Sequence, residues 1–183
     1  MNRRLETEGQ PLILVDQNDH VVGYASKETC HGGRGVLHRA FSVFVFNKEK
    51  ELLIQKRSKN KLLWPLFWSN SVCSHPRKGE SCDKAARRRV KEELSIKPSL
   101  KYLFKFQYQA SYDHVGSENE ICYIYWGSTS DKVRANPEEI DDWKFIKIFQ
   151  LNELLKSNPN LFTPWFKMEW ELIRKKKYLN FDI

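Results

Sequence analysis

The stretch Asn70–Ile96, NSVCSHPRKGESCDKAARRRVKEELSI, constrains this chain more than any other. It joins a thiol and an imidazole two residues apart, Cys73 and His75, to a segment that reads as a helix. Ser81 suits an N-cap and Asp83 suits the first turn, where the helix dipole favours negative charge. The helix then runs to about Leu94, and Lys97-Pro98 stops it. Ala86, Val90 and Leu94 recur every fourth residue and make one apolar stripe. Arg88, Arg89, Glu92 and Glu93 lie off that stripe, spaced to pair as Arg88/Glu92 and Arg89/Glu93.

These residues resemble the Nudix box, G-x5-E-x7-R-E-U-x-E-E-x-G-U. Glu80, Arg88, Val90, Glu92, Glu93 and Ile96 fall on the pattern. Ser74 and Ser95 stand at its two glycines, and Arg89 stands where the hydrolases carry a glutamate. The resemblance implies a helix that presents carboxylates to a metal bound by a diphosphate. An ordinary amphipathic helix laced with ion pairs explains RRRVKEEL about as well. The missing carboxylate suggests a reaction other than hydrolysis.

Around this helix the pattern is that of strands. Leu12–Val15 and Val21–Tyr24 flank a turn rich in Asn and Asp. His31 lies in the loop HGGRG, whose glycines let the backbone bend closely. A strand runs from Val36 to Phe46 with His38 at its start. Phe41, Val43 and Val45 share one face and Phe44 and Phe46 the other, so both faces are covered, as in a layered α/β domain. Leu52–Arg57 returns as a strand and leads into SKNKLLWPLFWSN, a loop dense in cations and aromatics. A long alternating strand from Tyr102 to Tyr112 turns at Asp113–Gly116 and comes back over Glu118–Trp126. After Asn136-Pro137 and the acidic run EEIDD, a strand is expected at Trp143–Phe149 and a short helix at Gln150–Lys156. Thr163-Pro164 opens a final helix, with Lys175–Lys177 near its C-terminal end.

At 183 residues the chain fits one domain with a sizeable core. Residues 1–10 read as a polar, flexible leader and 11–183 as the domain. The formal net charge of +8 favours anionic partners. No run approaches the roughly 18 to 20 apolar residues of a membrane span, so membrane insertion is not expected. The start lacks the apolar core of a signal peptide. Cys30, Cys73, Cys82 and Cys122 are therefore expected as free thiols in a reducing compartment, the cytoplasm. The cations are scattered and no nucleic-acid motif stands out, which argues against a nucleic-acid partner.

Three histidines and two carboxylates carry the chemistry. On a strand, Glu118 and Glu120 share a face with Cys122 and Ile124. Two carboxylates set among apolar residues repel each other and resist desolvation, and a cation removes both costs. His31, His38, His75, Glu118 and Glu120 make a credible site for a divalent transition metal, Mn²⁺ or Zn²⁺, with Mg²⁺ also open.

With His31-x6-His38, Trp64-Pro65 leading to Asn70–Pro76, Glu118-Asn119-Glu120 and Thr163-Pro164-Trp165 in place, the chain resembles type I isopentenyl diphosphate isomerase. That family has a Nudix fold, a single compact domain with a mixed sheet flanked by helices. The resemblance puts the Nudix core at about residues 36–168. It implies Cys73 and Glu120 as catalytic residues, and His31, His38, His75, Glu118 and Glu120 as ligands of the tightly held metal. It makes Glu93 the holder of a Mg²⁺ that touches the diphosphate, and Lys27, Arg57 and Lys61 the diphosphate-binding cations. Tyr108 and Trp165 become active-site aromatics. The implied reaction converts isopentenyl diphosphate to dimethylallyl diphosphate through a tertiary carbocation, in isoprenoid biosynthesis. A Nudix hydrolase of nucleoside diphosphates is the alternative. Monomer and homodimer stay open.

Overall fold

The computed structural model describes residues 10–176. Nearly all of the expected leader lies outside them, as does Lys177. The sheet is organised by β3 (His38–Phe46), which every other part of it reaches directly or through one neighbour. β8 (Gly116–Ser128) runs parallel to β3, with His38 opposite Glu120 and Phe46 opposite Ser128. β7 (Lys101–Tyr112) forms a long antiparallel hairpin with β8, closed by the turn at residues 113–115. On the other side β4 (Leu52–Arg57) meets β3 near the Asn47–Lys50 turn and pairs along its length with β9 (Ile140–Ile146).

Alternation along β3 sends its side chains into two separate cores. Phe41, Val43 and Val45 meet Ala85, Ala86, Val90 and Leu94 of α2 (Cys82–Leu94). Ala40, Phe44 and Phe46 meet Leu151 of α3 (Ile148–Ser157) and Trp165, Phe166, Trp170 and Ile173 of α4 (Pro164–Lys175). The expected stripe of Ala86, Val90 and Leu94 is wholly buried. Ser81 caps α2 as read, accepting the Lys84 N–H. At its other end Ser95 adopts φ +59°, the left-handed conformation that explains why a glycine suits this place in the box.

The N-terminal hairpin pairs β1 (Leu12–Val15) with β2 (Val21–Ala25) and joins β3 at Leu14/His38. Asp16 closes its turn by accepting from the Asn18 and His20 N–H groups, both at 2.9 Å.

Three expectations need correction. His31 ends a short helix, α1 (Lys27–His31), capped by Ser26, and the glycine loop only begins after it. One turn is too short to show a 3.6-residue period. The cation-rich loop contains β5 (Trp68–Ser69) and leads to β6 (Val72–Ser74), which pairs with β3. The late strand starts at Ile140 and stops at Ile146, because pairing with Leu52–Arg57 sets its length. Phe149, read as strand, belongs to α3 and stands exposed.

Candidate active site

Two close backbone approaches bring the histidines to the carboxylates. Gly35 has φ +74°, and a Cβ there would stand 3.2 Å from the Ser117 carbonyl oxygen. Gly116 leaves no room at all, since a Cβ would meet the His31 carbonyl oxygen at 2.4 Å. The segment after α1 therefore lies flat on the start of β8. His31 Nε2 is 2.8 Å from Glu118 Oε2, His75 Nε2 is 2.9 Å from Glu120 Oε1, and His38 Nε2 is 3.5 Å from the same oxygen. One donor atom from each of the five residues lies within 4.8 Å of the others.

The hydrogen bonds behind the rings fix what these atoms can do. His31 Nδ1 donates to the Lys27 carbonyl at 2.9 Å, and His38 Nδ1 to the Val36 carbonyl at 2.7 Å. A carbonyl only accepts, so these nitrogens carry protons, and in the neutral rings that bind a metal the inward Nε2 atoms present lone pairs. Lone pairs facing carboxylate oxygens repel. His31 Nε2, His38 Nε2 and Glu118 Oε2 are buried without a hydrogen-bond partner among the described residues. A cation among them satisfies all of them, so the donor set fits a divalent metal. Burial, then the neighbouring His38 and His31, holds His75 well below the usual histidine range, in the neutral form a ligand requires.

Glu120 is held on its other side as well. Tyr108, its partner across the β7–β8 hairpin, donates its hydroxyl to Oε2 at 2.6 Å. Burial opposes the Glu120 charge, but the neighbouring His38 ring and the Tyr108 hydroxyl outweigh it and keep its pKa low.

Cys73 stands on β6 opposite Ser42. Burial pushes its thiol up to about 12, and the Arg57 guanidinium partly offsets that. Arg57 Nη1 approaches Cys73 Sγ at 3.6 Å, while its Nε and Nη2 hold the carbonyls of Trp64 and Leu63 at 3.0 and 2.9 Å. It thereby pins a loop in which Trp64 and Leu66 both have positive φ. The guanidinium lies 5.1 Å from the Trp165 ring centroid. Trp165 packs against Trp64 at 5.2 Å and Tyr108 at 6.4 Å, giving the site an aromatic wall.

A ladder of alternating charges lies on the other side. Lys61 pairs with Glu139, Glu139 with Arg89 at 2.9 Å, and Arg89 with the buried Glu93 at 2.7 Å. Burial works against the Glu139 charge, but Lys61 and Arg89 hold its pKa down at about 2. Burial lowers the pKa of Lys27, and the positive charge of Lys61 lowers it further. Lys59 is exposed. Elsewhere in the box Glu80 grips Arg88 through two 2.8 Å hydrogen bonds, and Glu92 pairs with Arg88 and Arg89 at 3.1 Å each. Of the candidate site residues, His31, His38, His75, Glu118 and Glu120 thus come together, Cys73, Arg57, Tyr108 and Trp165 lie beside them, and Lys61 joins Glu93 through Glu139 and Arg89.

Sequence reasoning missed Glu139 and Glu169. Glu139 appeared only as one member of the acidic run EEIDD. Glu169 did leave a signal, as a carboxylate on the apolar face of α4 among Trp165, Phe166, Trp170 and Ile173.

Residues 36–166 match the family model of the NUDIX domain. A Deinococcus radiodurans crystal structure superposes with a TM-score of 0.67 at 22% identity, covering 81% of this chain and 90% of that one. The MutT protein of Methanosarcina mazei gives 0.63 at 17% identity, covering 77% and 95%. Both likenesses are of fold. Among curated proteins, isopentenyl-diphosphate Delta-isomerase 1 of Photorhabdus laumondii is 44% identical, over 87% of this chain and 92% of that protein. The isopentenyl-diphosphate Delta-isomerase of Serratia proteamaculans is 41% identical, over 85% and 86%. The chain belongs to the NUDIX family and, within it, to the isopentenyl-diphosphate Delta-isomerases.

Proposed function

We propose that this chain converts isopentenyl diphosphate to dimethylallyl diphosphate. A proton is added at the terminal alkene carbon, and another leaves C2. The observation that carries the reading is the double hold on Glu120, which faces the imidazoles of His75 and His38 through Oε1 and takes the Tyr108 hydroxyl on Oε2. An unactivated alkene is a very weak base, so its acid must be strong, dry and fixed in direction. Bound among His31, His38, His75, Glu118 and Glu120, a divalent cation supplies the charge that lets these donors coexist and makes Glu120 the stronger acid. We assign that site to Mn²⁺ or Zn²⁺, with Mg²⁺ the remaining choice.

Cys73 exchanges the other proton, from the side where Arg57 approaches its sulfur. The intermediate is a tertiary carbocation, and aromatic faces such as that of Trp165 stabilise it by roughly 2 kcal/mol or more once water is excluded. Lys27, Lys61 and Arg57 draw in the diphosphate, with Glu93 holding the Mg²⁺ that accompanies it. The four free thiols suit a reducing setting, the cytoplasm. Isoprenoid diphosphate chemistry needs no nucleic-acid partner. For a Nudix hydrolase, Arg89 stands in a carboxylate's place and Glu92 is engaged by two arginines.

Incubation with isopentenyl diphosphate in deuterated water containing Mg²⁺ tests the reading. Dimethylallyl diphosphate carrying deuterium is expected. Phosphate release from a nucleotide panel, with no allylic product, would replace the isomerase by the hydrolase.

A further inference from the structure

Glu169 is a wholly buried carboxyl that the proton chemistry above does not use. It lies one helical turn beyond Trp165 on α4 and reaches the sheet between the two proton-moving groups. Ser42 pairs with Cys73 across the antiparallel β3–β6 ladder, and directly opposed residues in such a ladder share a face. Cys122 follows Glu120 by two residues on β8 and therefore shares its face. Ser42 Oγ donates to Glu169 Oε1 at 2.7 Å. Cys122 Sγ lies 3.5 Å from the same oxygen and 3.6 Å from Ser42 Oγ.

The other oxygen, Oε2, is buried with no hydrogen-bond partner among the described residues. An ionised carboxyl would leave that oxygen charged and unsolvated, which is costly. A neutral carboxyl places its proton on Oε2 and still accepts both donors on Oε1. The titratable groups that face it are Cys73 from β6 and Cys122 and Glu120 from β8, while β3 contributes the uncharged Ser42. Glu169 is thus a third acid beside two groups that already exchange charge.

We propose that Glu169 is a positioning acid for the isomerisation: held uncharged, it orients the Ser42 hydroxyl and Cys122 thiol beside Cys73 without adding an anion there. This rests on the reading of Cys73 as a proton-moving group. Ser42, which Glu169 holds, stands directly opposite Cys73, so a charge on Glu169 would set an anion beside the reacting sulfur. Burial raises the Glu169 pKa to about 8, with the Glu120 charge adding to it and the Ser42 and Cys122 hydrogen bonds opposing it. The acid is therefore neutral at pH 7 and ionises on mild alkalinisation.

Two measurements on the metal-loaded protein test the proposal. Infrared difference spectra of wild type against E169Q at neutral pH should contain a carboxylic-acid carbonyl band that fades as pH rises through about 8. The kcat of wild type should fall over the same interval with KM nearly constant. E169Q keeps an acceptor but has no proton to lose, so its fall should move up by about one pH unit or more. E169L removes the acceptor that orients Ser42, and should lower kcat about tenfold across the range. Coincident pH profiles for wild type and E169Q would overturn the proposal, as would a missing acid band at pH 7. An acid band without isomerase activity at any pH would overturn the function instead, and with it the kinetic half of the proposal.

Discussion

Tyr108 and Glu120 face each other across the β7–β8 hairpin, and the 2.6 Å bond from the phenol to Oε2 fixes the rotation of the carboxylate. Glu120 consequently turns Oε1 toward His75 and His38. Tyr108→Phe keeps the ring against Trp165 and leaves Oε2 unsatisfied in a buried place. Losing such a partner costs about 1–3 kcal/mol, so kcat should fall by about ten- to a hundredfold. The bound metal should be retained, because no proposed ligand is lost. Steady-state kinetics beside elemental analysis checks both. A variant with unchanged kcat would mean that Glu120 needs no orientation from this side.

The metal cluster makes its own prediction. Protein purified without an affinity tag should carry about one tightly held divalent ion per chain, given the single compact set of donors among the described residues. His75→Ala takes away the ring whose Nδ1, unlike those of His31 and His38, is tied to no backbone carbonyl among the described residues, and should weaken retention without unfolding the chain. Dialysis against a chelator, followed by metal analysis, reads the difference. Full activity in metal-free protein would remove the site from the mechanism.

The cationic loop separates a working charge from a solvated one. Lys61 reaches inward to Glu139, whereas Lys59, two residues earlier, is exposed. Lys61→Ala should raise KM for isopentenyl diphosphate by about tenfold or more, the scale of a charge-assisted hydrogen bond. Lys59→Ala should stay within about twofold. Arg57→Ala should raise KM too, but it also frees the Leu63 and Trp64 carbonyls and loosens their loop. Lys61 is therefore the cleaner probe. Equal effects from Lys59 and Lys61 would reduce both to a diffuse field.

What could be read from the chain beforehand depended on how local the cause was. The α2 stripe of Ala86, Val90 and Leu94 is set by helical period, and its burial followed directly. The two-faced β3 was legible because period-2 alternation with apolar residues on both sides leaves few alternatives. His31 was grouped with the four other donors that the structure brings around it, yet placed in a loop, since α1 is a single capped turn with no period to detect. Glu139 was illegible as a site residue because its contacts come from long-range packing, and the place of Glu169 on the apolar face of α4 marked it as buried without showing what it meets. Glu139 meets Lys61 and Arg89, and Glu169 meets Ser42, only after β3, β4, α2 and α4 have assembled.

Cys73 separates catalysis from binding most sharply. Its sulfur touches Arg57 Nη1, but none of the side chains assigned to the metal cluster depends on it. Cys73→Ala should therefore cut kcat by about two orders of magnitude or more while keeping affinity for isopentenyl diphosphate within about tenfold, the pattern of an interaction made chiefly in the transition state. Cys73→Ser is the informative companion. A hydroxyl can still accept from Arg57, so the loop contact is preserved, but it is a far weaker acid than a thiol and should rescue little of the rate. Single-turnover rates, read with Kd from calorimetry using a metal-loaded variant, divide the two effects. Near-normal turnover by Cys73→Ala would leave the thiol as a small packing residue against Arg57, and the second proton would then have to be exchanged elsewhere in the site.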